Sequence, residues 1–548
     1  MTTTAQPRRV GASAIVCGAV IVIAAIAAFR PLLRADFTNF DDDNTVADNP
    51  RIVTLTLASL AWQWRNVWMD LYVPVTYSAW WTVALVSPRV ADLHGKPALD
   101  PRWFHALNLT LHVLSALVVF VILRRLFTRD WVACAGALMF ALHPIQVEPV
   151  AWVSGLKDVL CGLLCLVAIW QYIRFATARS APSYALALLA FVCAMLSKPT
   201  AVVLPVALLI IDRAMLRREW RDVARGVVPC FILAIPFTIV AKLAQPAPGR
   251  TTLVSPALRP LVAMDSLAFY LSKVAVPVNL GPDYGRTPRF VVQRGWVWST
   301  WVAPVGTGII AWLARRRLPL FSLGLLLALV PLLPILGFVR FDFQEISGVA
   351  DHYLYLSMFG LALAACALLN AAGEISATIA AGLLVLLGIL SFRQTLIWQN
   401  SRTLFEHAVA LNPQSWIGWN NLAQTAIESA DFVAGREYAQ RSADLKPDFA
   451  DAHVNLGNAL MQSNQHALAI EHLERAVRLS PNMLQARLNL AAAYGMSERI
   501  SDAVTQYEAA LRIDPGCEVA LRMLPPARAY LHSKKSAPDP DAQPAPSR

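Results

Sequence analysis

Charged residues are scarce in this sequence. Asp, Glu, Lys and Arg make up 15% of its 548 residues, and hydrophobic residues make up 56%. A soluble domain typically has about 25% charged and about 45–50% apolar residues. The shortage of charge, together with long apolar runs, excludes an ordinary soluble protein and predicts a chain that crosses the membrane several times.

The sequence also lacks the cysteine spacings of disulfide frameworks and zinc sites. None of its eight cysteines belongs to a CxxC pair, and seven of them lie in apolar stretches. Free cysteines in such surroundings behave as small hydrophobic residues. We predict that they fill space between helices and neither crosslink the chain nor bind a metal.

Acidic residues are outnumbered by basic ones, 36 to 47, which gives a formal net charge of +11. The basic residues do not form one continuous patch, as a nucleic-acid interface would require. They form short clusters between apolar runs, which is typical of the cytoplasmic loops of membrane proteins. The clusters are Arg8-Arg9, Arg124-Arg125 with Arg129, Arg174 and Arg179, Arg213 to Arg225, and Arg315-Arg316-Arg317. We predict no nucleic-acid partner.

The apolar runs between these clusters predict about eleven membrane spans. The first run is longer than a signal-peptide core and is interpreted as a retained span. The predicted spans are Val10 to Leu33, Asn108 to Leu123, Trp131 to Leu142, Val159 to Phe175, Tyr184 to Leu196, Ala201 to Ile211, Gly226 to Leu243, Trp296 to Ala314, Leu318 to Phe338, Tyr353 to Asn370 and Ile375 to Leu396. Two further stretches are apolar, Val75 to Val86 and Leu261 to Val278. If either one alone crossed the membrane, a basic cluster such as Arg315-Arg316-Arg317 would lie on the outer side. Both stretches are predicted to be interfacial or re-entrant helices.

A fixed period appears after the last predicted span. Four prolines are 34 residues apart, and asparagines and leucines recur at the same period; they are Pro413, Pro447, Pro481 and Pro515, Asn421, Asn455 and Asn489, and Leu422, Leu456 and Leu490. This is the tetratricopeptide pattern of paired helices. Three repeats are predicted from about Trp416 to Pro515, with a half-repeat helix before them (Ser401 to Asn412) and a capping helix after them (Cys517 to Leu531). Such repeats bind peptides or protein segments far more often than they catalyse.

The prediction is therefore an all-α protein with a membrane bundle followed by an α-solenoid. We divide it into a membrane domain (1–396) with an outer loop (34–107), a repeat domain (397–531) and a disordered tail (532–548). An odd number of spans puts the repeats on the same side as the outer loop.

That outer loop contains three consecutive carboxylates, Asp41, Asp42 and Asp43, in a chain with few acidic residues. Adjacent carboxylates repel one another unless water, a cation or a polar ligand compensates them. The loop is either a solvated turn that ends the first helix or part of a site.

Other polar groups recur at the outer ends of the predicted spans. They are His105, Asn108 and His112 on one helix face, then His143, Glu148, Lys157 and Asp158 in a proline-interrupted segment, then Lys198 and Asp351 with Tyr353. Ionisable groups at membrane depth are costly and commonly functional. The alternative interpretation is that they form hydrogen bonds and ion pairs that hold the bundle together.

Six segments, in this order, resemble the transmembrane and tetratricopeptide-repeat O-mannosyltransferases. They are FDDDNTVADNP, Tyr72-Val73-Pro74, FHALNLTLH, HPIQVEPVAWVSGLKD, SKP and ADHYLYL. The resemblance covers nearly the whole chain. The family includes the animal enzymes that target cadherins, and also bacterial relatives of those enzymes. It implies a GT-C glycosyltransferase that moves a sugar, mannose in this family, from a polyprenyl-phosphate donor to a protein hydroxyl, with the acceptor in the repeat groove. A bacterial inner membrane with periplasmic repeats is expected.

The resemblance also implies roles for particular residues. Asp41 and Asp42 correspond to the acidic pair of the family, with Asp42 preferred as the catalytic base, and Asp41 and Asp43 are candidate ligands for a divalent cation such as Mg²⁺ or Mn²⁺. Val73 stands where the family often has arginine. The candidates for binding donor phosphate or substrate are His112, His143, Glu148, Lys157, Asp158, Lys198, Asp351 and Tyr353.

Two other functions remain open at this stage. A non-catalytic membrane scaffold that assembles envelope proteins would explain the repeats, but not the gathering of ionisable groups on one side. A transporter of lipid-linked sugars would place polar groups near the bilayer midplane, whereas here they lie at the outer edge.

Overall fold

The structure is a computed structural model that describes residues 11–91, 97–245, 254–338, 342–373 and 375–536. The cluster Arg8-Arg9 and tail residues 537–548 lie outside this described part. The chain divides into two compact units, Met1–Asn412 and Pro413–Arg548. Both are helical, and the strands in the described part are one antiparallel hairpin, Arg89–Ala91 with Pro97–Leu99. The predicted all-α class is confirmed.

Seven helices in the described part are long and apolar enough to cross a membrane. They are Ala12–Arg34, Pro101–Leu126, Val153–Ala178, Pro199–Leu216, Trp220–Ala244, Trp296–Ala314 and Ser376–Ile397. The pair Asp130–Leu142 and Pro144–Ala151, bent by 50°, would make an eighth span. Three shorter apolar helices are Ala181–Met195, Pro319–Ile335 and Ser357–Ala372. The count of about eleven spans stays a prediction.

The first unit also contains shorter helices, several of which carry the polar residues. They are Asp43–Ala47, Pro50–Val53, Leu57–Gln63, Pro74–Val86, Pro256–Leu258, Arg259–Ala275, Pro288–Gln293, Asp342–Glu345, Asp351–Leu354 and Ser401–Leu411. Pro74–Val86 and Arg259–Ala275 correspond to the two stretches predicted to be interfacial. Proline at the start of Pro74–Val86 costs no hydrogen bond, since the first amides of a helix have no acceptor within the helix.

Close helix contact in the first unit depends on glycine. Gly324 and Gly360 face each other between Pro319–Leu329 and Ser357–Ala372, and a Cβ on Gly324 would lie 2.6 Å from the carbonyl oxygen of Gly360. Small residues at such crossings let the backbones approach and gain van der Waals contact, which drives packing of apolar helices in lipid.

The second unit consists of three helix pairs and a final helix. The pairs are Trp416–Glu428 with Phe432–Leu445, Ala450–Gln462 with His466–Leu479, and Leu484–Met496 with Ile500–Ile513. The buried core contains the recurring leucines Leu456 and Leu490 together with alanines from every pair. The predicted repeats are confirmed.

Two boundaries differ from the predicted ones. Ser401–Leu411, predicted as a half-repeat, packs within the first unit, where the ring centroids of Phe405 and Phe40 are 6.1 Å apart. The last helix runs from Glu518 to Ser536, so the predicted disorder is wrong for residues 532–536. Composition cannot locate a helix end to within a few residues, because polar residues suit a solvated final turn as well as coil.

Candidate active site

Asp42 lies at the centre of the acidic loop and is fully buried. Its Oδ2 accepts hydrogen bonds from the amide (3.1 Å) and hydroxyl (2.9 Å) of Thr38, and its Oδ1 accepts one from the amide of Ser154 at 2.8 Å. Burial raises the pKa of Asp42 to about 7, although these hydrogen bonds oppose the rise. Both oxygens are engaged in holding the loop against the 153–155 turn. The prediction that prefers Asp42 as the base does not fit this geometry.

Asp41 has the opposite environment, because its side chain is exposed. Its backbone φ is 75°, a left-handed conformation that few residues other than Gly, Asn and Asp adopt. The amide and hydroxyl of Thr45 both donate to the Asp41 carbonyl, at 2.9 and 2.7 Å. In the described part of the chain, the Asp41 carboxylate has no hydrogen-bond or ion-pair partner. The turn therefore separates two adjacent carboxylates into one buried and one available.

Asp43 is half-buried, and its Oδ1 accepts a hydrogen bond from the amide of Asn44 at 2.9 Å. Burial, with repulsion from Asp41 and Asp48, raises the pKa of Asp43 to about 6. Within the described ranges, no group of three or more His, Cys, Asp or Glu side chains is arranged to hold a metal ion. Two carboxylates suffice for Mg²⁺ when water and phosphate complete the coordination. Asp41 and Asp43 thus remain candidate ligands.

Lys157 faces this loop from the start of the Leu156–Ala178 helix. Its side chain is 8% exposed, and its ammonium lies 5.3 Å from the centre of the Trp152 ring. Across the residues that the structure covers, Lys157 has no hydrogen-bond acceptor. A nearly buried ammonium without a hydrogen-bond acceptor is suited to binding an anionic ligand.

Lys198 and Asp158 form an ion pair with an Nζ–Oδ1 distance of 2.5 Å. The pair lines a small cavity of about 40 Å³ together with Thr200, His352 and Tyr353. The Lys198 ammonium also lies 5.5 Å from the centre of the Tyr353 ring. Oδ2 of Asp158 is buried without a hydrogen-bond partner in the described structure, which leaves an acceptor at this cavity.

Glu148 and Asp351 meet across more than 200 residues of sequence. Oε1 of Glu148 is 2.6 Å from Nδ1 of His352, and Oε2 accepts from the amide of Asp351 at 3.1 Å. Tyr284 donates to both carboxylate oxygens of Asp351, at 2.8 and 2.9 Å. Burial raises the pKa of Asp351 to about 7, against this hydrogen bond and the charge of Lys273. The cluster fixes the 351–354 turn beside the Lys198 cavity.

The histidines predicted to bind substrate have structural partners instead. His112 is buried between the hydroxyl of Tyr355 (3.1 Å from Nδ1) and the carbonyl of Ala141 (3.0 Å from Nε2). His143 lies 3.1 Å from the carbonyl of Val274, which joins the bundle to the Arg259–Ala275 helix. Because both rings already have protein partners at both nitrogens, hydrogen bonding between helices explains them better than ligand binding.

Sequence reasoning missed Thr38, Ser154 and Tyr284. Thr38 belongs to no motif, Ser154 lies within the quoted segment HPIQVEPVAWVSGLKD but was given no role, and Tyr284 lies in a stretch with no assigned role. The roles of Ser154 and Tyr284 depend on hydrogen bonds between segments that are distant in sequence. Ser154 is 112 residues from Asp42, and Tyr284 is 67 residues from Asp351.

The structure also shows an apolar groove that sequence reasoning did not predict. It has a volume of about 480 Å³ and lies between the Arg259–Ala275, Val302–Ala314 and Pro319–Leu329 helices. Its wall includes Gly308, Leu332 and Leu354. The 330–335 and 351–356 segments line both this groove and the Lys198 cavity.

Comparison with known proteins agrees with the order of these features. The profile of the dolichyl-phosphate-mannose-protein mannosyltransferases matches residues 81–243, and a tetratricopeptide-repeat profile matches residues 448–515. Protein O-mannosyl-transferase TMTC1 of Homo sapiens is 25% identical over 420 residues, which are 66% of this chain and 47% of the human one. TMTC1 of Mus musculus is 29% identical over 204 residues, 35% of this chain and 21% of the mouse one.

A third relative, Tmtc1 of Drosophila melanogaster, is 32% identical over 128 residues, 23% of this chain and 15% of the fly one. The chain spans about half the length of these relatives or less. The matches fall on both the membrane unit and the repeats. The chain is therefore similar to protein O-mannosyl-transferases, with a mannosyltransferase profile in its first unit and a tetratricopeptide-repeat profile in its second.

Proposed function

We propose that this protein transfers mannose from a polyprenyl-phosphate donor to a hydroxyl of a polypeptide acceptor at the outer face of the membrane. One observation carries the proposal: Asp41 presents an exposed carboxylate without a hydrogen-bond partner in the described structure, next to the buried Asp42, which is hydrogen-bonded to the turn that precedes Lys157. The surrounding carboxylates Asp42, Glu148 and Asp351 are committed to hydrogen bonds within the protein.

In the proposed reaction, Asp41 removes the proton from the acceptor hydroxyl. The hydroxyl oxygen forms a bond to the anomeric carbon of the sugar, and the bond from that carbon to the phosphate oxygen breaks. Lys157 offsets the charge on the departing lipid phosphate. Proton removal by a positioned base contributes about 10²–10⁴-fold to the rate.

The ion pair of Lys198 with Asp158 supplies polar groups at the small adjoining cavity, and the donor sugar would bind beside it. The apolar groove shares walls with that cavity and is large enough for part of a polyprenyl chain. Val73 stands where the family often has arginine and cannot supply a cation. Lys157 would supply the cation in its place. A divalent cation, if bound, would be held by Asp41 and Asp43 and would further neutralise phosphate charge.

The orientation and the compartment belong to the same proposal. The basic clusters support a cytoplasmic side opposite the acidic loop. We infer a bacterial inner membrane, with the site facing the periplasm and the acceptor polypeptide held by the repeat unit.

The test uses the full chain in lipid nanodiscs, a polyprenyl-phosphate donor carrying tritiated mannose, and co-purified proteins as acceptors. Wild-type protein should label a polypeptide, and Asp41→Asn should lower the rate by at least about 10²-fold with an unchanged melting temperature. Asp70→Asn is the matched control, because Asp70 is an exposed carboxylate of the same outer loop with φ of 57°. Transfer by Asp41→Asn at the wild-type rate would contradict the proposal.

A further inference from the structure

Each of the three helix pairs in the second unit has a side-chain contact at the same place. Positions 419, 453 and 487 of the first helices are 34 residues apart, and so are positions 438, 472 and 506 of the second helices. In every pair the first-helix side chain is hydrogen-bonded to the carbonyl of the proline six residues before it and contacts the second-helix side chain. The contacts are Trp419 with Pro413 and Tyr438, His453 with Pro447 and His472, and Arg487 with Pro481 and Gln506.

The middle contact differs from the other two because both of its side chains change charge near neutral pH. Trp, Tyr, Arg and Gln do not. Nδ1 of His453 is 3.2 Å from Nδ1 of His472, and the two rings stack with their centroids 5.4 Å apart. His453 is buried and His472 is half-buried. A contact that recurs in three repeats is therefore sensitive to protons in one of them.

The partners of His453 fix which of its nitrogens carries a proton. Its Nε2 is 3.2 Å from the carbonyl oxygen of Pro447, which can only accept, so Nε2 holds the proton of the neutral ring. Nδ1 of His453 then accepts a hydrogen bond from Nδ1 of His472. Within the described residues, Nε2 of His472 has no hydrogen-bond partner. A first added proton can bind there and leave the contact intact.

A second added proton breaks the contact. It would bind Nδ1 of His453 and would set two N–H groups, each on a charged ring, 3.2 Å apart. Like charges at such a separation repel each other, the more so where burial excludes water. In an unfolded chain each ring takes up a proton independently, with a pKa of about 6.5. Acid therefore favours separation of the two helices.

The charges around the pair act in the same sense. Arg475 donates to the same Pro447 carbonyl at 3.0 Å. Burial, together with the charge of Arg475, lowers the pKa of both rings, and the neighbouring Glu471 opposes this for His472. Other charged side chains on these and the adjoining helices have partners of their own; they include Glu437 with Arg441, Glu474 with Arg478 and Tyr494, and Arg487 with Gln506.

We propose that His453 and His472 form a pH-sensitive contact that holds the two helices of the middle repeat together near neutral pH and releases them in acid. Below a pH of about 6.5 the unfolded state binds more protons than the folded state, so the stability of the second unit falls as the pH falls. One excess proton changes the opening equilibrium constant about tenfold for each pH unit. This proposal does not rest on the function proposed above.

The test is hydrogen–deuterium exchange of the full chain in nanodiscs at pH 7, 6 and 5. Protection is measured in the helices Ala450–Gln462 and His466–Leu479 and corrected for the pH dependence of intrinsic amide exchange. In the wild type we expect it to fall about tenfold from pH 6 to pH 5. Exchange of these helices reports the second unit separately from Asp42 in the first, whose raised pKa has the opposite effect on stability.

The decisive variant is His453→Arg with His472→Gln, which copies the contact of the third repeat and contains no titrating ring. It should stay protected at pH 7 and lose the fall between pH 6 and pH 5. His472→Gln alone should reduce the fall, because a glutamine amide can donate to the neutral His453 ring and accept from the charged one.

His466→Gln is the matched control, because His466 begins the same helix as His472 but lies outside the contact; it should keep the wild-type fall. Asp451, whose pKa is raised by burial, acts in the opposite direction to the histidines. It is present in every variant, so its contribution cancels in the comparison.

Two results would overturn the proposal. One is wild-type protection that stays constant from pH 6 to pH 5, and the other is a fall of equal size in the wild type and the folded double variant. If the double variant is unprotected at pH 7, the same comparison with His472→Gln decides. Asp41→Asn should show the wild-type fall whether or not it transfers mannose, which separates this proposal from the proposed function.

Discussion

The amide of Ser154 donates a 2.8 Å hydrogen bond to Oδ1 of Asp42. This bond joins the first outer loop to the turn that precedes Lys157. It fixes Asp42 inside the protein and leaves Asp41, the preceding residue, at the surface.

The junction should make stability depend on pH through Asp42. Its pKa is about 7 in the folded protein, against about 3.9 in an unfolded chain. The folded state holds the proton more tightly, so the free energy of unfolding falls as the pH rises between these values, by up to about 4 kcal/mol. We expect the melting temperature to fall from about pH 4 to pH 7. Asp42→Asn should reduce that slope.

Asp43 and Asp351 have raised pKa values too and act in the same direction, so part of the slope should remain in Asp42→Asn. Thermal unfolding of the full chain over a pH series, with Asp70→Asn as control, measures the difference. Identical slopes for Asp42→Asn and the wild type would show that Asp42 does not titrate in this way.

Lys157 and Lys198 should respond oppositely to replacement by methionine. Lys157→Met removes a cation that has no acceptor in the described structure, so stability should be unchanged or higher. The KM for the lipid donor should rise by roughly 10- to 100-fold, the value of a charge-assisted hydrogen bond. Lys198→Met leaves Asp158 unpaired and should lower stability by about 3 kcal/mol.

Melting temperatures and donor saturation curves for the two variants, with Lys157→Arg to restore the charge, decide this prediction. A lower melting temperature for Lys157→Met would indicate that the ammonium stabilises the fold and is not a free group that binds a ligand.

The apolar groove should discriminate donors by chain length. A side chain on Gly308 would enter the groove, whereas Gly306, on the same helix, does not line it, and a Cβ on either meets no atom within 4 Å. Gly308→Leu should raise the KM for a long-chain polyprenyl donor and spare a short-chain one, and Gly306→Leu should change neither. An equal effect on both donors would indicate a general disturbance of the bundle.

If Asp41 and Asp43 hold a divalent cation, a chelator should lower transfer, and Mg²⁺ or Mn²⁺ should restore it. Asp43→Asn should then require a higher cation concentration for half-maximal rate, because one carboxylate ligand is lost. Transfer that resists chelation in a metal-free preparation would remove the cation from the mechanism.

Much of the fold could be predicted because its signals are local. Apolar length and basic clusters indicate membrane helices, and a period of 34 indicates paired helices, wherever these segments pack. The acidic loop and the ionisable groups at the outer ends of the spans could also be predicted as candidate site residues, because their positions follow from local sequence. Helix ends were less predictable, as Ser401–Leu411 and the 532–536 segment show.

The sequence by itself determined that the chain is a membrane bundle with repeats and that three carboxylates stand together in its first outer loop. Only the tertiary structure decided which carboxylate is available. Asp41 and Asp42 are equivalent as residue types, and their difference arises from a left-handed backbone at Asp41 and from Ser154, 112 residues away from Asp42. Hydrogen bonding between distant segments depends on helix packing, and local composition does not encode it.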